Sequence, residues 1–247
     1  MHADDLRCIF KCYADERKIM NIEIFLSFFA RVLTLLLVIP IHESAHALVA
    51  KWFGDDTAER AGRISLNPMD HIHPIGSLLM VLTGFGWANP VPINPVRMKK
   101  YRAGIALTAL AGPVSNILAA FVAGLAYAIL LCTEKGYAAA ISTAVTPMSC
   151  VIILLQYLFS VNIGLAIFNL IPIPPLDGYN VLSYFTPSKV DRWFHQHQRE
   201  VSMVFFITII GISYLPARIN PLHYAHSFVA DLLWDCVKWI PKLRWGY

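Results

Sequence analysis

The sequence predicts an all-α polytopic membrane protein with about four transmembrane helices, a re-entrant β-hairpin and a C-terminal helix that is either amphipathic or a short span. Composition is the first reason, because 57% of the 247 residues are apolar and only 15% are charged, against about 25% charged in soluble domains. Charge placement is the second: no Asp, Glu, Lys or Arg occurs in residues 103–133, 136–176 or 201–217. A bilayer core needs about 20 apolar residues per helix, so these gaps indicate spans.

Charge and cysteine content exclude several other classes. The net charge of +4 is spread along the chain without a long basic run, so nucleic acid is not an expected partner. The five cysteines are an odd number without Cys-x-x-Cys spacing, which favours neither a disulfide framework nor a thiolate zinc site. Residues 1–21 mix acidic and basic side chains without an apolar core, so they form a polar N-terminal segment and not a signal peptide.

The first predicted span covers residues 22–53, which is longer than the hydrocarbon core requires. Arg31 lies toward its amino-terminal end, where its guanidinium is expected to snorkel to the headgroups. Residues 32–49 would then occupy the core, and Gly54 ends the helix.

Residues 75–94 are predicted to form the re-entrant β-hairpin. The apolar patch at 75–82 is too short to cross a bilayer. Gly84, Phe85 and Gly86 follow it, and three prolines come shortly after, a pattern that favours an extended hairpin over a helix. The alternative is a loop that only caps the helix bundle.

The other predicted spans are residues 103–132, 148–171 and 201–215, of which the last is marginal in length. Small or compact residues recur every fourth position of the second span and would permit close helix contact: Gly104, Thr108, Gly112, Asn116 and Ala120.

The four spans together place the predicted core at residues 22–217, and residues 218–247 form a tail. In this tail, charged residues recur at helical spacing on one face and apolar residues on the opposite face. This pattern indicates an interfacial helix, with a short fifth span as the alternative.

Basic residues in the internal loops predict an orientation. Residues 51–102 and 172–200 lie on one side and carry seven and three basic residues, while the loop 133–147 on the other side has only Lys135. The side rich in Lys and Arg is expected to be cytoplasmic. Including the two tails makes the totals nearly even.

The most informative motif lies inside the first span, where His42 and His46 occupy positions i and i+4 on one helical face and Glu43 lies between them. Two imidazoles at this spacing can bind one metal ion, and a neighbouring Glu can serve as a general base. Ionisable side chains at membrane depth usually mark function. The alternative is a polar cluster that joins neighbouring helices.

A catalytic zinc ion takes three protein ligands and leaves one position for water, so the histidine pair predicts a third ligand. Asp177 is the best candidate, although Leu-Asp-Gly alone is a common turn sequence. The first and third spans run in the same direction, which places both histidines and Asp177 near the same end. Gly112 and Asn116 of the second span reach a similar depth.

Three motifs together make the chain resemble the site-2 proteases, which are intramembrane zinc metalloproteases, in their compact form without PDZ or CBS domains. The motifs are His42-Glu-Ser-Ala-His46, Gly112-Pro-Val-Ser-Asn116 and Asn169-Leu-Ile-Pro-Ile-Pro-Pro-Leu-Asp177-Gly178. The resemblance covers about residues 22–200. It implies one zinc ion held by His42, His46 and Asp177, with Glu43 as the general base.

The resemblance also implies a role for Asn169 in stabilising the oxyanion and a place for Gly84, Phe85 and Gly86 in a re-entrant β-loop that clamps substrate. Asn116 could assist in substrate binding or could join two helices. The expected partners are the bilayer and a transmembrane protein substrate that is cut within its span. The expected location is the plasma membrane, with the active site toward the cytoplasm; the oligomeric state stays open.

Two other readings compete with a protease. A divalent-metal transporter could use the same ligands, but it has no special need for Glu43 beside His42. A noncatalytic substrate-binding relative is disfavoured, because every expected catalytic residue type is present. The remaining histidines lie in loops or near the tail, where capping or solvated roles are expected, and none is assigned to the metal: His71, His73, His195, His197, His223 and His226.

Overall fold

A computed structural model describes residues 24–83, 86–142 and 146–245 of the chain. All regular structure in this part is helical, and no strand occurs in it. The helices are α1 (Ile24–Trp52), α2 (Thr57–Arg60), α3 (Pro74–Thr83), α4 (Tyr101–Leu131), α5 (Glu134–Ile141), α6 (Pro147–Asn169), α7 (Asp177–Ser183), α8 (Ser188–Gln196), α9 (Gln198–Ser213), α10 (Pro221–Asp235) and α11 (Trp239–Trp245).

Three helices, α1, α4 and α6, are long and apolar enough to cross a membrane. The predicted fourth span is not among them. Helix α9 has 16 residues and rises about 24 Å, short of the ~30 Å of hydrocarbon. Charged Arg199 and Glu200 in its first turn and Pro216 just beyond its end limit its apolar length.

Helix α4 lies between the other two long helices and packs along both of them. Every member of its predicted stripe of small residues is buried, from Gly104 to Ala120. Small side chains let helix backbones approach closely, which is how helices associate where water supplies no driving force. The spacing in the sequence therefore predicted the contact face of α4.

Helix α1 contains one wider turn of π-helix at Thr34–Val38, which ends just before Pro40. The amide of Ile39 donates to the carbonyl of Thr34, five residues earlier. Proline lacks an amide proton and its ring crowds the preceding turn, and a π-turn absorbs such a disturbance. The helix then continues in α-form through His42 and His46.

The predicted β-hairpin is wrong, because residues 74–83 form helix α3 and no strand occurs in the described residues that follow it. Pro74 begins this helix, where a proline is tolerated. Gly76 and Ser77 favour a helix less, but the apolar residues 78–82 that follow them include no helix breaker. Residues 86–94 return in an extended form without a strand partner. Pro90 and Pro92 lack the amide protons that a strand ladder needs. Gly84 and Phe85 lie outside the described residues.

The extended return is tied to the loop after α1. Asn89 donates from its amide to the carbonyl of His71 at 2.8 Å, and Lys99 donates to the carbonyl of Phe53 at 2.9 Å. Between them, the amide of Asn94 donates to Oδ2 of the fully buried Asp55 at 2.6 Å. Burial tends to raise the pKa of Asp55, but hydrogen bonds from Thr57 and Asn94 and the nearby Arg97 hold it below its usual value.

Arg31 has a role that the sequence did not predict. Its Nη1 donates to the carbonyl oxygens of Leu82 at 3.1 Å and of Val81 at 3.4 Å. The last carbonyls of a helix have no partner within it, so the guanidinium caps the carboxyl end of α3 and joins it to α1. The expectation that Arg31 reaches the headgroups stays a prediction, and the contact with α3 is added to it.

The tail packs against the long helices. His226 of α10 lies with its Nε2 3.0 Å from Oγ of Ser160, which is near the middle of α6. The rings of Trp234 and Tyr127 are 5.4 Å apart, which joins α10 to α4. These contacts hold α10 against the helix bundle. With 15 residues, α10 is not among the helices long and apolar enough to cross a membrane, and the interfacial helix and its alternative, a short fifth span, both stay predictions.

Candidate metal centre

Two histidines on adjacent turns of α1 begin the site. Their Nε2 atoms are 3.1 Å apart, as the i, i+4 spacing allows. His46 is buried, while His42 keeps a small exposed fraction. Both rings face α4.

Asp177 is brought to the histidines by the turn between α6 and α7. The adjacent Gly178 makes this approach possible, because a Cβ at that position would collide with the carbonyl of Leu170. Tyr179, two residues after Asp177, joins α7 to α8, because its hydroxyl donates to Oδ1 of Asp191 at 2.6 Å. Burial, and then the Asp191 carboxylate, raise the pKa of Tyr179, so it stays a neutral donor.

The three side chains present one compact set of ligand atoms. Oδ2 of Asp177 lies 3.4 Å from Nε2 of His42 and 3.4 Å from Nε2 of His46. Tetrahedral zinc with bonds of about 2.0–2.1 Å places its ligand atoms about 3.3–3.4 Å apart. The observed triangle therefore has the size that such an ion requires.

The hydrogen bonds of the two rings explain why this triangle needs a cation. Nδ1 of His46 lies 2.7 Å from the carbonyl oxygen of Thr108, and Nδ1 of His42 lies 2.5 Å from Oδ1 of Asn116. Both partners are acceptors, so each Nδ1 carries the proton and each neutral ring turns a lone pair of Nε2 inward. Oδ2 of Asp177 is buried without a hydrogen-bond partner among the described residues. Three acceptors that face one another fit a metal ion.

The charge of Asp177 suits the same purpose. Burial alone would raise the pKa of this carboxyl; without a metal ion, protonated imidazoles of His42 and His46 would donate to it, outweigh burial and lower the pKa to about 2. Asp177 is therefore ionised at neutral pH, as a metal ligand must be.

Glu43 lies next to these ligands and does not belong to the triangle. Its Oε2 accepts a hydrogen bond of 3.2 Å from the amide of Val91, in the extended return after α3. Val91 is buried against Ala47 and Ala58, so the return is packed onto the same helix that carries Glu43. This contact orients one carboxylate oxygen and leaves the other available.

Helix α4 supplies the room in which the two rings lie. A Cβ on Gly112 would collide with Nε2 of His46 and lie 2.5 Å from Cε1 of His42. Only glycine fits at this close approach.

Three asparagines behave differently from one another. Asn116 is 1% exposed and contacts His42 and the amide of Asn162, a geometry that fits the helix-joining alternative and leaves it inaccessible to substrate. Asn169 lies seven residues after Asn162, on the same face of α6, and no side-chain hydrogen bond engages it in the described part of the chain. Asn169 is the last residue of α6, and among the described residues no hydrogen bond joins its side chain to His42, His46 or Asp177.

Sequence reasoning missed Asn162, the carbonyl of Thr108 and the amide of Val91. The two backbone groups leave no signature in a sequence. Asn162 left one, because a polar amide in an apolar helix, two turns from Asn169, marks the face that looks into the protein.

The other histidines make local contacts. Nδ1 of His73 accepts from the amide of Gly76 at the start of α3, and Nε2 of His71 lies 2.8 Å from the carbonyl of Ser65. Among the described residues, only His42, His46 and Asp177 form a group of three that could hold a metal ion. Of the residues predicted to clamp substrate, Gly86 is described, and it belongs to the extended return.

The chain that carries this site is similar to a family of peptidases and to two relatives named as metalloproteases. The profile of peptidase family M50 matches residues 30–212. The chain is 38% identical over 192 residues to "Putative zinc metalloprotease YwhC" of Bacillus subtilis, which covers 76% of this chain and 85% of the relative. It is 29% identical over 153 residues to "Putative zinc metalloprotease Rip2" of Mycolicibacterium smegmatis, covering 60% of this chain and 53% of that relative. No solved structure matches the chain.

Proposed function

The chain belongs to peptidase family M50, the site-2 proteases, and is therefore a metalloprotease; on that premise we propose that it hydrolyses peptide bonds within transmembrane segments of other proteins. The observation that carries the proposal is the inward-facing triangle of His42, His46 and Asp177, with Glu43 beside it. The two histidines and Glu43 lie in the carboxyl-terminal half of α1, which is long and apolar enough to cross a membrane, and Asp177 follows the end of a second such helix, α6. A hydrolytic site there would act on bonds at or near membrane depth.

His42, His46 and Asp177 would hold one zinc ion. When bound, zinc supplies a Lewis acid that polarises a carbonyl and lowers the pKa of its water to about 7. The three side chains leave one position of a tetrahedral site open, which is the arrangement of catalytic and not of structural zinc.

Glu43 is proposed as the general base. Its free carboxylate oxygen accepts the proton of the attacking water and later returns it to the leaving amine. The hydrogen bond from Val91 holds the other oxygen, so the carboxylate loses little rotational freedom during the transfer.

Asn169 is proposed to donate its side-chain amide to the developing oxyanion of the substrate carbonyl. Its side chain is partly exposed and lies on the face of α6 that carries Asn162, which turns toward the metal centre. A neutral amide donor placed where charge develops contributes electrostatic stabilisation to the transition state.

The substrate must unwind locally, because a helix hides its carbonyls in its own hydrogen bonds. The extended return, residues 86–94, passes over α1 beside Glu43 and could align an unwound segment by β-addition. Its amides at Asn89 and Val91 already donate to groups of the protein, and the prolines that follow each of them have no amide proton. This segment would therefore offer carbonyl acceptors to the substrate and few donors.

Two further proposals concern location. The three apolar helices fit a multi-pass membrane protein, and we place it in the plasma membrane with the metal centre toward the cytoplasm. The Lys and Arg excess in residues 51–102 and 172–200 supports this orientation.

The first experiment measures zinc per protein in the detergent-purified wild type, in His46→Ala and in Asp177→Ala. The wild type is expected to bind about one zinc ion per chain, and both variants are expected to lose it. Full zinc affinity in Asp177→Ala together with loss in His46→Ala would mean that the third ligand lies elsewhere. A wild type that binds no zinc would refute the proposed centre.

A second experiment separates hydrolysis from transport. Glu43→Gln is expected to retain zinc and to lose hydrolysis of single-span model proteins co-reconstituted in liposomes, by at least the 10²–10⁴-fold typical of a general base. Mass spectrometry of the products locates the cut. If Glu43→Gln kept full function while metal crossed the vesicle membrane, the protein would be a transporter and the protease proposal would fail.

A further inference from the structure

The middle of α6 contains a buried amide that the proposed mechanism does not use. Asn162 is 2% exposed within a helix whose neighbouring positions are almost all apolar. A polar group at membrane depth is costly unless it is hydrogen-bonded. Its hydrogen bonds lead directly to the metal centre.

A series of hydrogen bonds connects Asn162 to His42, and it begins at a backbone carbonyl that can only accept. Nδ2 of Asn162 donates to the carbonyl of Leu158 at 2.8 Å, and Oδ1 of Asn162 accepts from Nδ2 of Asn116 at 3.2 Å. Oδ1 of Asn116 then lies 2.5 Å from Nδ1 of His42. The backbone carbonyl of Leu158 can only accept, so it decides the direction of every later bond.

Reversing either amide would oppose two acceptors. If Asn116 turned its Nδ2 toward His42, its Oδ1 would face Oδ1 of Asn162. If Asn162 also turned, its Oδ1 would face the carbonyl of Leu158. In a buried site each such pair leaves an acceptor unsatisfied, at a cost of about 1–3 kcal/mol. The Leu158 carbonyl therefore selects the orientation of both amides and, through them, the protonated Nδ1 of His42.

The two histidines thus differ in how their tautomers are fixed. His46 faces the carbonyl of Thr108, a backbone acceptor that cannot turn. His42 faces a side-chain amide that can turn unless something holds it. The hydrogen bond to Asn162 prevents this rotation of the Asn116 amide.

We propose that Asn162 is a positioning residue for the metal centre, which holds the Asn116 amide so that Nε2 of His42 presents its lone pair to the ion. The inference rests on the proposed zinc site. Partners behind a metal-bound histidine set its tautomer, and their loss typically weakens metal binding by about 10- to 100-fold.

The test measures zinc affinity by competition with a chromophoric chelator, using purified metal-free protein and zinc alone. Asn162→Leu keeps the branched shape and the number of non-hydrogen atoms and removes both hydrogen bonds, and we expect it to weaken zinc binding by about 10-fold or more. Ser160→Ala is the matched control, because Ser160 is a polar residue of the same helix on its opposite face, where it contacts His226. Zinc affinity of Ser160→Ala is expected to equal that of the wild type.

A double-mutant cycle separates positioning from packing. If Asn162 acts through Asn116, the double variant Asn116→Leu/Asn162→Leu binds zinc no more weakly than Asn116→Leu alone. Additive losses would overturn the inference, and so would wild-type affinity in Asn162→Leu. The melting temperature of the metal-free protein reports folding, and Asn162→Ala replaces Asn162→Leu in the cycle if the latter is unfolded.

The outcomes distinguish this inference from the proposal on which it depends. Absence of zinc in the wild type would refute the metal centre itself. Zinc in the wild type with unchanged affinity in a folded Asn162 variant would refute only the positioning role.

Discussion

Gly112 is a position at which a single methyl group would disturb the proposed metal ligands directly. A Cβ there would overlap the imidazole of His46 and crowd that of His42. Overpacking of this kind typically costs about 1–3 kcal/mol, and here the rings that must move are the proposed ligands. We expect Gly112→Ala to bind zinc at least about 10-fold more weakly than the wild type, as measured by chelator competition.

Gly164→Ala provides the control for this prediction. Gly164 also lies in a long apolar helix, but apart from its chain neighbours and the backbone of its own helix no atom lies within 4 Å of the position of its Cβ. The variant is expected to keep wild-type zinc affinity, with equal or slightly higher stability because alanine favours the helix. Equal zinc affinity in both alanine variants would mean that the rings do not pack against α4 as described.

At the scale of single residues, the sequence predicted the groups whose side chains carry their own chemical signature. His42 and His46 share a helix face by spacing, and the direction of the spans placed Asp177 near them. Thr108 and Val91 could not be predicted, because they act through a carbonyl and an amide that every residue possesses. Asn162 was visible as a buried polar residue, but its purpose depends on Leu158 and Asn116, which only the fold brings to it.

Among the elements, α3 and the return after it show most clearly where the sequence-based prediction and the observed structure differ. Gly84, Gly86 and the later prolines are typical of an extended chain, and residues 86–94 are extended. The patch before them is helical despite Gly76 and Ser77, because its proline stands at the first position, where it is tolerated, and a helix satisfies its own backbone hydrogen bonds. As a strand, residues 75–82 would have to pair with the return, but Pro90 and Pro92 lack the amide protons that such pairing needs.

This return is expected to affect catalysis through the amide of Val91. Val91→Pro keeps an extended conformation accessible and removes the donor to Glu43. A hydrogen bond to a charged group contributes about 1.5–3 kcal/mol, so we expect kcat to fall about 10- to 100-fold without loss of zinc. The measurement is hydrolysis of a reconstituted single-span protein at saturating concentration.

Two variants isolate the amide from other effects of this change. Ile93→Pro removes an amide that makes no hydrogen bond in the described structure, and Val91→Ala removes only the side chain that packs against Ala47 and Ala58. Both are expected to retain more kcat than Val91→Pro. An equal fall in all three variants would show that the return tolerates no change and that the amide has no particular role.

Asp55 connects the same return to the end of α1 and makes that connection sensitive to pH. Its pKa is lowered in the folded protein, so its ionised form contributes stability that is fully present above the unfolded value of about 3.9. This contribution is lost as pH falls through the folded pKa. We expect the melting temperature of the wild type to exceed that of Asp55→Asn at pH 6 and the difference to shrink toward pH 3. A difference that is independent of pH would contradict the role of the charge.

For the whole molecule, the sequence predicted that separated motifs would meet because the long helices alternate in direction. The carboxyl end of α1, the first half of α4 and the turn after α6 lie on one side of that arrangement, and the structure brings together His42, Asn116 and Asp177 there. The number of spans was harder to predict. Helices α9 and α10 are apolar but short, and their placement depends on contacts such as that of His226 with Ser160, which hydropathy does not record.

The orientation of the molecule gives the last prediction. Lys135 follows α4 and Lys189 follows α7, and both are exposed, on opposite sides of the predicted membrane. In a background with all five cysteines replaced by serine, Lys135→Cys is expected to react with a membrane-impermeant maleimide on intact cells. Lys189→Cys is expected to react only after permeabilisation, because the loops richer in Lys and Arg stay in the cytoplasm. The reverse pattern would place the metal centre toward the outside, and the substrates would then have to be cut near the outer face of the membrane.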